Sequence, residues 1–266
     1  PLFVAMFGGT TGVGKTECAT ALAEYLYGPG SLIRIDMGEY TEPHSVSRIT
    51  GSPPGYVGHN TEPAFVTSLK KSPRRVLLFD EIEKAASTVQ ELLLGVMDYG
   101  QLTTGSGEVL NLRESIVIFT TNALADRMHK SKLGFHFGEQ AIIDSAEYRE
   151  ALIQAKIFSP EFLNRIDLVV PFHKMDNETS MKIAYREIES IVDELSYQGF
   201  ALEYSQEDLE SLVASADKNQ GGRAIIRAID KWKRIIVNKI RTKDYVVVSG
   251  RKVICIETKD INGGLE

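Results

Sequence analysis

Cysteine is nearly missing from this 266-residue chain: Cys18 and Cys255 are the only two. Two thiols are too few for a disulfide framework and lack the spacing of a structural zinc site, so the expected setting is a reducing, cytoplasmic compartment. Long hydrophobic runs are also absent. No stretch approaches the eighteen or so apolar residues of a membrane helix, and no basic-then-apolar leader opens the chain, so neither a membrane nor an exported protein is expected. Positive charge is in deficit, with 30 Lys and Arg against 36 Asp and Glu, and that argues against a surface built to coat nucleic acid. There is one tryptophan, and aromatic residues make up 8% of the chain. What is present is an ordinary globular mixture, 43% apolar and 25% charged, which excludes wholesale disorder and supplies a sizeable core. No internal repeat or low-complexity segment interrupts it.

Five short, nearly continuous apolar runs stand out: Phe3–Phe7, Leu32–Ile35, Val76–Phe79, Ile116–Thr120 and Leu168–Val170. Continuity rather than alternation is the mark of strands buried on both faces of a parallel sheet. Helical patterns at Lys15–Tyr27 and Thr88–Met97 separate some of them, which points to an α/β fold with right-handed crossovers. Two Pro/Gly-rich stretches, Gly51–Gly58 and Gly100–Gly107, read as long surface loops, a length compact domains reserve mostly for function. Beyond Phe172 the pattern changes to long helices, Asn177–Gln198, Gln206–Ala216 and Gly222–Arg241, with short strands at Ala201–Tyr204 and Val253–Glu257. In the last helix Ile225, Ile229, Trp232, Ile236 and Ile240 form an apolar stripe. A boundary near His173–Asn177 divides a large α/β domain, residues 1–174, from a smaller and mainly helical one, residues 175–266.

Directly after the first run stands Gly9-Thr10-Thr11-Gly12-Val13-Gly14-Lys15-Thr16. Glycines at these places let successive backbone N–H groups turn inward as a nest for phosphate, and the helix that follows adds its positive dipole end. Lys15 is placed to reach β- and γ-phosphates, and the Thr16 hydroxyl to ligate Mg²⁺. The third run ends in Asp80-Glu81, at the sheet edge where open α/β sheets bind ligands. Asp80 there would hold Mg²⁺ and Glu81 would polarise an attacking water; the competing assignment is that both acids cap the next helix. Asn122 closes the fourth run and could bond both water and γ-phosphate, or serve as a turn residue.

With these residues in place the chain resembles the second ATPase module of the Clp unfoldases, the ClpA, ClpB and ClpC group of the AAA+ superfamily. The resemblance runs from Phe3 to about Glu257. It rests on Gly12-Val13-Gly14-Lys15-Thr16-Glu17, Asp36-Met37-Gly38-Glu39-Tyr40, Pro53-Pro54-Gly55-Tyr56-Val57-Gly58, Asp80-Glu81-Ile82-Glu83-Lys84-Ala85 and Phe158-Ser159-Pro160-Glu161-Phe162-Leu163-Asn164-Arg165-Ile166-Asp167. It implies a P-loop ATPase with a five-stranded parallel sheet and a small helical domain, acting as a ring, most often a hexamer, that unfolds or disaggregates proteins with Mg²⁺ and ATP. It further implies that Arg165 is a finger reaching a neighbour's nucleotide, that Asn122 is a sensor, and that Arg223, in Gly221-Gly222-Arg223-Ala224, contacts phosphate. By the same likeness Tyr56 and Val57 lie on a pore loop that grips unfolded polypeptide, and a second pore loop falls around Thr103–Gly107. Leu133-Gly134-Phe135 stands where relatives that dock onto a barrel peptidase carry an apolar-Gly-apolar loop; the alternative is that these side chains bury in their own domain.

The chain departs from the pattern at Thr10, where most relatives have Pro, and at His59-Asn60-Thr61-Glu62-Pro63, which replaces an acidic, Gly-Gly stretch. Only eight residues precede Gly9, so an excised module with a looser adenine pocket is the expectation. From Arg223 to Lys252 there are ten Lys and Arg against two acids. That basic segment keeps open a nucleic-acid motor as a rival, and an ATP-gated scaffold without turnover is a second one. Aromatic interleaving for base stacking is thin there, essentially Trp232 and Tyr245.

Overall fold

The computed structural model describes residues 1–56, 62–125, 144–217, 220–248 and 251–256. The chain divides into two compact units, one of residues 1–10 and 14–173, the other of residues 174–266 together with 11–13.

The first unit runs β1 (Phe3–Gly8), α1 (Lys15–Tyr27), β2 (Leu32–Asp36), α2 (Val46–Thr50), α3 (Ala64–Lys71), β3 (Val76–Asp80), α4 (Ser87–Tyr99), β4 (Gln101–Thr103), β5 (Val109–Asn111), β6 (Ile116–Thr121), α5 (Ser145–Ala155), α6 (Pro160–Asn164) and β7 (Leu168–Pro171). Its main sheet has the order β2-β3-β6-β1-β7 with every pairing parallel, so the five expected strands form one α/β sheet. The longest apolar runs occupy its middle, where β3 and β6 are buried throughout, while the edge strand β2 is partly exposed. Side-chain alternation splits the core in two. Val4, Met6, Leu77, Phe79, Val117 and Phe119 face one layer, with α3 to α6 among its contributors. Ala5, Phe7, Leu78 and Ile118 face the other, where Ala19 and Ala23 let α1 lie close. Rings from Phe65 through Phe79, Phe119 and Phe162 to Phe158 pack in series across the first layer at centroid spacings of 5.0–6.2 Å.

Parallel strands bring all their C-terminal ends to one edge. The loop after β1, the acids after β3 and the amide after β6 therefore share that edge, with β6 between the other two strands. Close packing beneath it demands glycine: a Cβ on Gly8 would lie 2.1 Å from the Tyr148 ring.

Several elements differ from the sequence expectation. Gly100–Gly107 is not one long loop, because β4 and β5 pair antiparallel across it and only 104–108 remain as a turn. Each of these strands is three residues long with one buried leucine, Leu102 or Leu110, too short for periodicity to register. Helices α5 and α6 were also not anticipated. Each begins at a side-chain cap, Asp144 accepting from the Glu147 amide and Ser159 from the Phe162 amide.

The second unit comprises α7 (Asn177–Tyr197), β8 (Phe200–Glu203), α8 (Gln206–Ser215), α9 (Gly222–Thr242), β9 (Val246–Val248) and β10 (Arg251–Cys255). β10 pairs parallel with β8 and antiparallel with β9, an edge strand absent from the sequence reading. Ser205 and Asp208 form a capping box at the start of α8. The α9 stripe packs as its spacing suggests: Ile225, Ile229, Trp232 and Ile236 are buried against Ile188, Ile191 and Leu212, and Ile240 is half-buried. Trp232 is fully enclosed, so Trp232→Ala should destabilise this unit by about 3–5 kcal/mol, read as a lowered midpoint in urea denaturation. A loss well under 1 kcal/mol would mean the ring is not the centre of this core.

Candidate nucleotide-binding site

The loop between β1 and α1 turns through left-handed glycines, Gly12 at φ 83° and Gly14 at φ 98°. The first bond of the α1 ladder runs from the Cys18 amide to the Gly14 carbonyl, 2.8 Å, so the amides of Thr16 and Glu17 precede the ladder at the positive end of the helix dipole. Lys15 is buried. Its ammonium donates to the Gly9 carbonyl at 2.5 Å, the Thr10 carbonyl at 2.9 Å and Asn122 Oδ1 at 2.9 Å.

Asp80 is the buried last residue of β3. Arg34, from the neighbouring β2, donates to its Oδ2 through Nη2 at 2.6 Å and Nε at 3.0 Å, and the Thr120 hydroxyl donates to its Oδ1. Glu81 follows in the left-handed region, φ 59° and ψ 51°, a conformation that costs a non-glycine residue about 1–2 kcal/mol. Its amide donates to Thr120 Oγ1 at 2.9 Å, its Oε1 accepts from Asn122 Nδ2 at 3.1 Å, and its Oε2 pairs with Lys84. That hydrogen bond, and then the opposite charge, raise the Lys84 ammonium above its ordinary range. Neither acid caps the next helix. Glu81 makes no side-chain cap bond, and α4 begins later, after Ala86.

Asn122 thus bonds Lys15 through its carbonyl and Glu81 through its amide, and its own backbone N–H donates to Glu83 Oε1 at 3.0 Å. Beneath it the buried Tyr148 hydroxyl donates to the Ala123 carbonyl at 2.7 Å; burial, aided by the nearby Glu83 carboxylate, pushes that phenol far up. Arg34 and Thr120 were missed in the sequence, and Glu83 and Lys84, though part of the block after Asp80, carried no assigned role. The available signals were a charge in the middle of an apolar strand for Arg34 and a hydroxyl in a buried run for Thr120.

The structure thus gathers Lys15, Asp80, Glu81 and Asn122, all within the first unit. Arg165, just past α6, instead pairs half-exposed with Asp98 of α4, which raises its already high pKa. Arg149 holds the carbonyls on either side of it, Leu163 at 2.7 Å and Ile166 at 3.0 Å. Tyr56 is 71% exposed between Gly55 and the end of the described segment. The tip of the β4–β5 hairpin touches the base of that loop, the Gly105 amide donating to the Thr50 carbonyl at 2.8 Å, and Lys70 pairs with both Glu62 and Glu108. Arg223 is an exposed residue in the first turn of α9, in the second unit. Val57, Leu133, Gly134 and Phe135 lie outside the described residues. On the basic segment Trp232 is buried and Tyr245 packs edge-on against Phe200, so neither ring is free to stack on a base. Among the described residues no helix is long and apolar enough to cross a membrane.

A parallel sheet of this order, with a glycine-rich phosphate loop after β1 and paired acids after β3, defines a P-loop nucleoside triphosphatase. The family model described as AAA domain (Cdc48 subfamily) matches residues 1–169. The chain is 37% identical over 235 residues to the ATP-dependent Clp protease ATP-binding subunit ClpC of Staphylococcus aureus (strain USA300), and 36% identical over 235 residues to the protein of the same name in Staphylococcus saprophyticus. Both matches cover 87% of this chain and 29% of the relative, so the chain spans less than a third of their length. The chain belongs to the AAA domain family, Cdc48 subfamily, and is a Clp-type AAA+ ATPase.

Proposed function

We propose that this chain is the Mg²⁺-dependent ATP-hydrolysing motor of a ring-forming Clp-type chaperone in the cytoplasm, which pulls on unfolded or aggregated protein. The observation that carries it is the connected set Lys15–Asn122–Glu81 beside the buried Asp80. Among the described residues no three His, Cys, Asp or Glu side chains converge on a metal position. This donor set fits Mg²⁺, which takes one or two protein oxygens and completes its shell with phosphate and water. Thr16 and Asp80 would hold it, and when bound it supplies charge neutralisation on the phosphates.

The protein's own groups account for the rest. Triphosphate entering the loop draws Lys15 away from the Gly9 and Thr10 carbonyls and from Asn122. Asn122 is then free to contact the γ-phosphate, and Glu81 to orient and polarise water in place of its present partners. Arg165 from the adjacent protomer neutralises charge on the transferring phosphoryl group, which makes ring assembly, as a hexamer, a requirement of activity. Its half-exposed position, paired with the Asp98 carboxylate, suits that role. Arg223 adds a further phosphate contact; a cation in the first turn of α9 gains nothing from that helix's own dipole.

Tyr56, with Val57, is the polypeptide-gripping element. An exposed ring between glycines offers contact area with little sequence preference, and the hairpin contact ties this loop to the second one around Thr103–Gly107. A barrel peptidase is the proposed partner, by analogy with relatives whose names describe protease subunits, and Leu133-Gly134-Phe135 is its proposed contact. Tyr56→Ala in the intact protein should leave ATP turnover within about a factor of two while translocation of an unfolded reporter is lost. Equal loss of both would remove the gripping role, and DNA-stimulated turnover that unfolded protein cannot match would replace the whole proposal with a nucleic-acid motor.

A further inference from the structure

Thr120 is fully buried, and its hydroxyl joins the two acids. It sits on β6 between the strand that leads into the phosphate loop and the strand that ends in Asp80. The hydroxyl donates to Asp80 Oδ1 and accepts from the Glu81 amide at 2.9 Å. A threonine hydroxyl has one proton and two lone pairs, so one group can make both bonds at once. The direction of each bond follows. Only a carboxylate can take the proton, and only the lone pairs can receive an amide.

Both ends matter to the proposed chemistry. At Asp80, the proton fixes Oδ1 while Arg34 holds Oδ2, so the carboxylate plane is determined from both sides. At Glu81, the bond satisfies an amide turned inward by a left-handed backbone that the residue would not choose alone. We infer that Thr120 is a positioning residue, holding Asp80 at the angle for a divalent ion and Glu81 at the turn that aims its carboxylate at water. The inference rests on the roles proposed for those two acids.

The test uses the intact protein with Thr120→Val, which keeps the shape and removes the hydroxyl, Thr120→Ser, which restores it, and Glu81→Gln as a control. Expected for Thr120→Val is a fall of about 10–100-fold in kcat and a weakening of similar size in Mn²⁺ affinity, read by electron paramagnetic resonance with a non-hydrolysable ATP analogue. Binding of the analogue without divalent ion should be unchanged, and Thr120→Ser should stay near the parent in every readout. Should Thr120→Val fail to fold, Thr120→Cys, similar in size and a poor donor, is expected to show the same losses. Parent-like turnover and Mn²⁺ affinity in Thr120→Val, or equal damage in Thr120→Ser, would overturn the inference. If Glu81→Gln abolishes turnover while Thr120→Val does not, only the role of Thr120 falls; if Glu81→Gln retains turnover, the assignment of the acids falls with it.

Discussion

Glu81→Gln should bind Mg-ATP and hold it, with turnover down about 10²–10⁴-fold, the range expected when a positioned base is lost. The substitution is nearly isosteric, and its amide oxygen can still accept from Asn122 Nδ2. What disappears is the negative charge, and with it both the pairing to Lys84 and the capacity to polarise water. Phosphate release under saturating Mg-ATP measures the first effect, and nucleotide retained after rapid gel filtration measures the second. Lost binding together with lost turnover would mean that Glu81 supports the loop rather than the chemistry. Unchanged turnover would leave an ATP-gated scaffold, or another base, as the explanation.

Arg165→Ala should reduce turnover by about 10³–10⁵-fold, the range found when such a guanidinium is withheld from a transferring phosphoryl group. Stability should hardly change, because the pair it forms with Asp98 is solvent-exposed. The more searching measurement is complementation. An Arg165→Ala protomer still carries Glu81, and a Glu81→Gln protomer still carries Arg165. If the finger acts across the subunit boundary, mixed rings contain sites with both groups intact, and activity should return on mixing two nearly inactive proteins. A finger serving its own protomer would restore nothing.

These two residues also mark what could be read from the chain alone. Glu81 was accessible because four apolar residues ending in two acids can be recognised locally, as can a glycine loop between a strand pattern and a helix pattern. The five parallel strands and the α9 stripe were legible for the same reason: burial on two faces, or on one, imposes a period that short windows reveal. Arg165 had no such local signature, and only resemblance singled it out.

Composition and spacing were therefore enough to establish an α/β nucleotide-binding module, its phosphate loop and its acidic pair, because each depends on residues adjacent in the chain. The Lys15–Asn122 and Asn122–Glu81 bonds, the clamp of Arg34 and Thr120 on Asp80, and the Arg149 brace around Arg165 were decided by tertiary structure alone. Residues up to 107 positions apart meet there because parallel strand order, which no local pattern encodes, brings separate C-terminal ends to one edge.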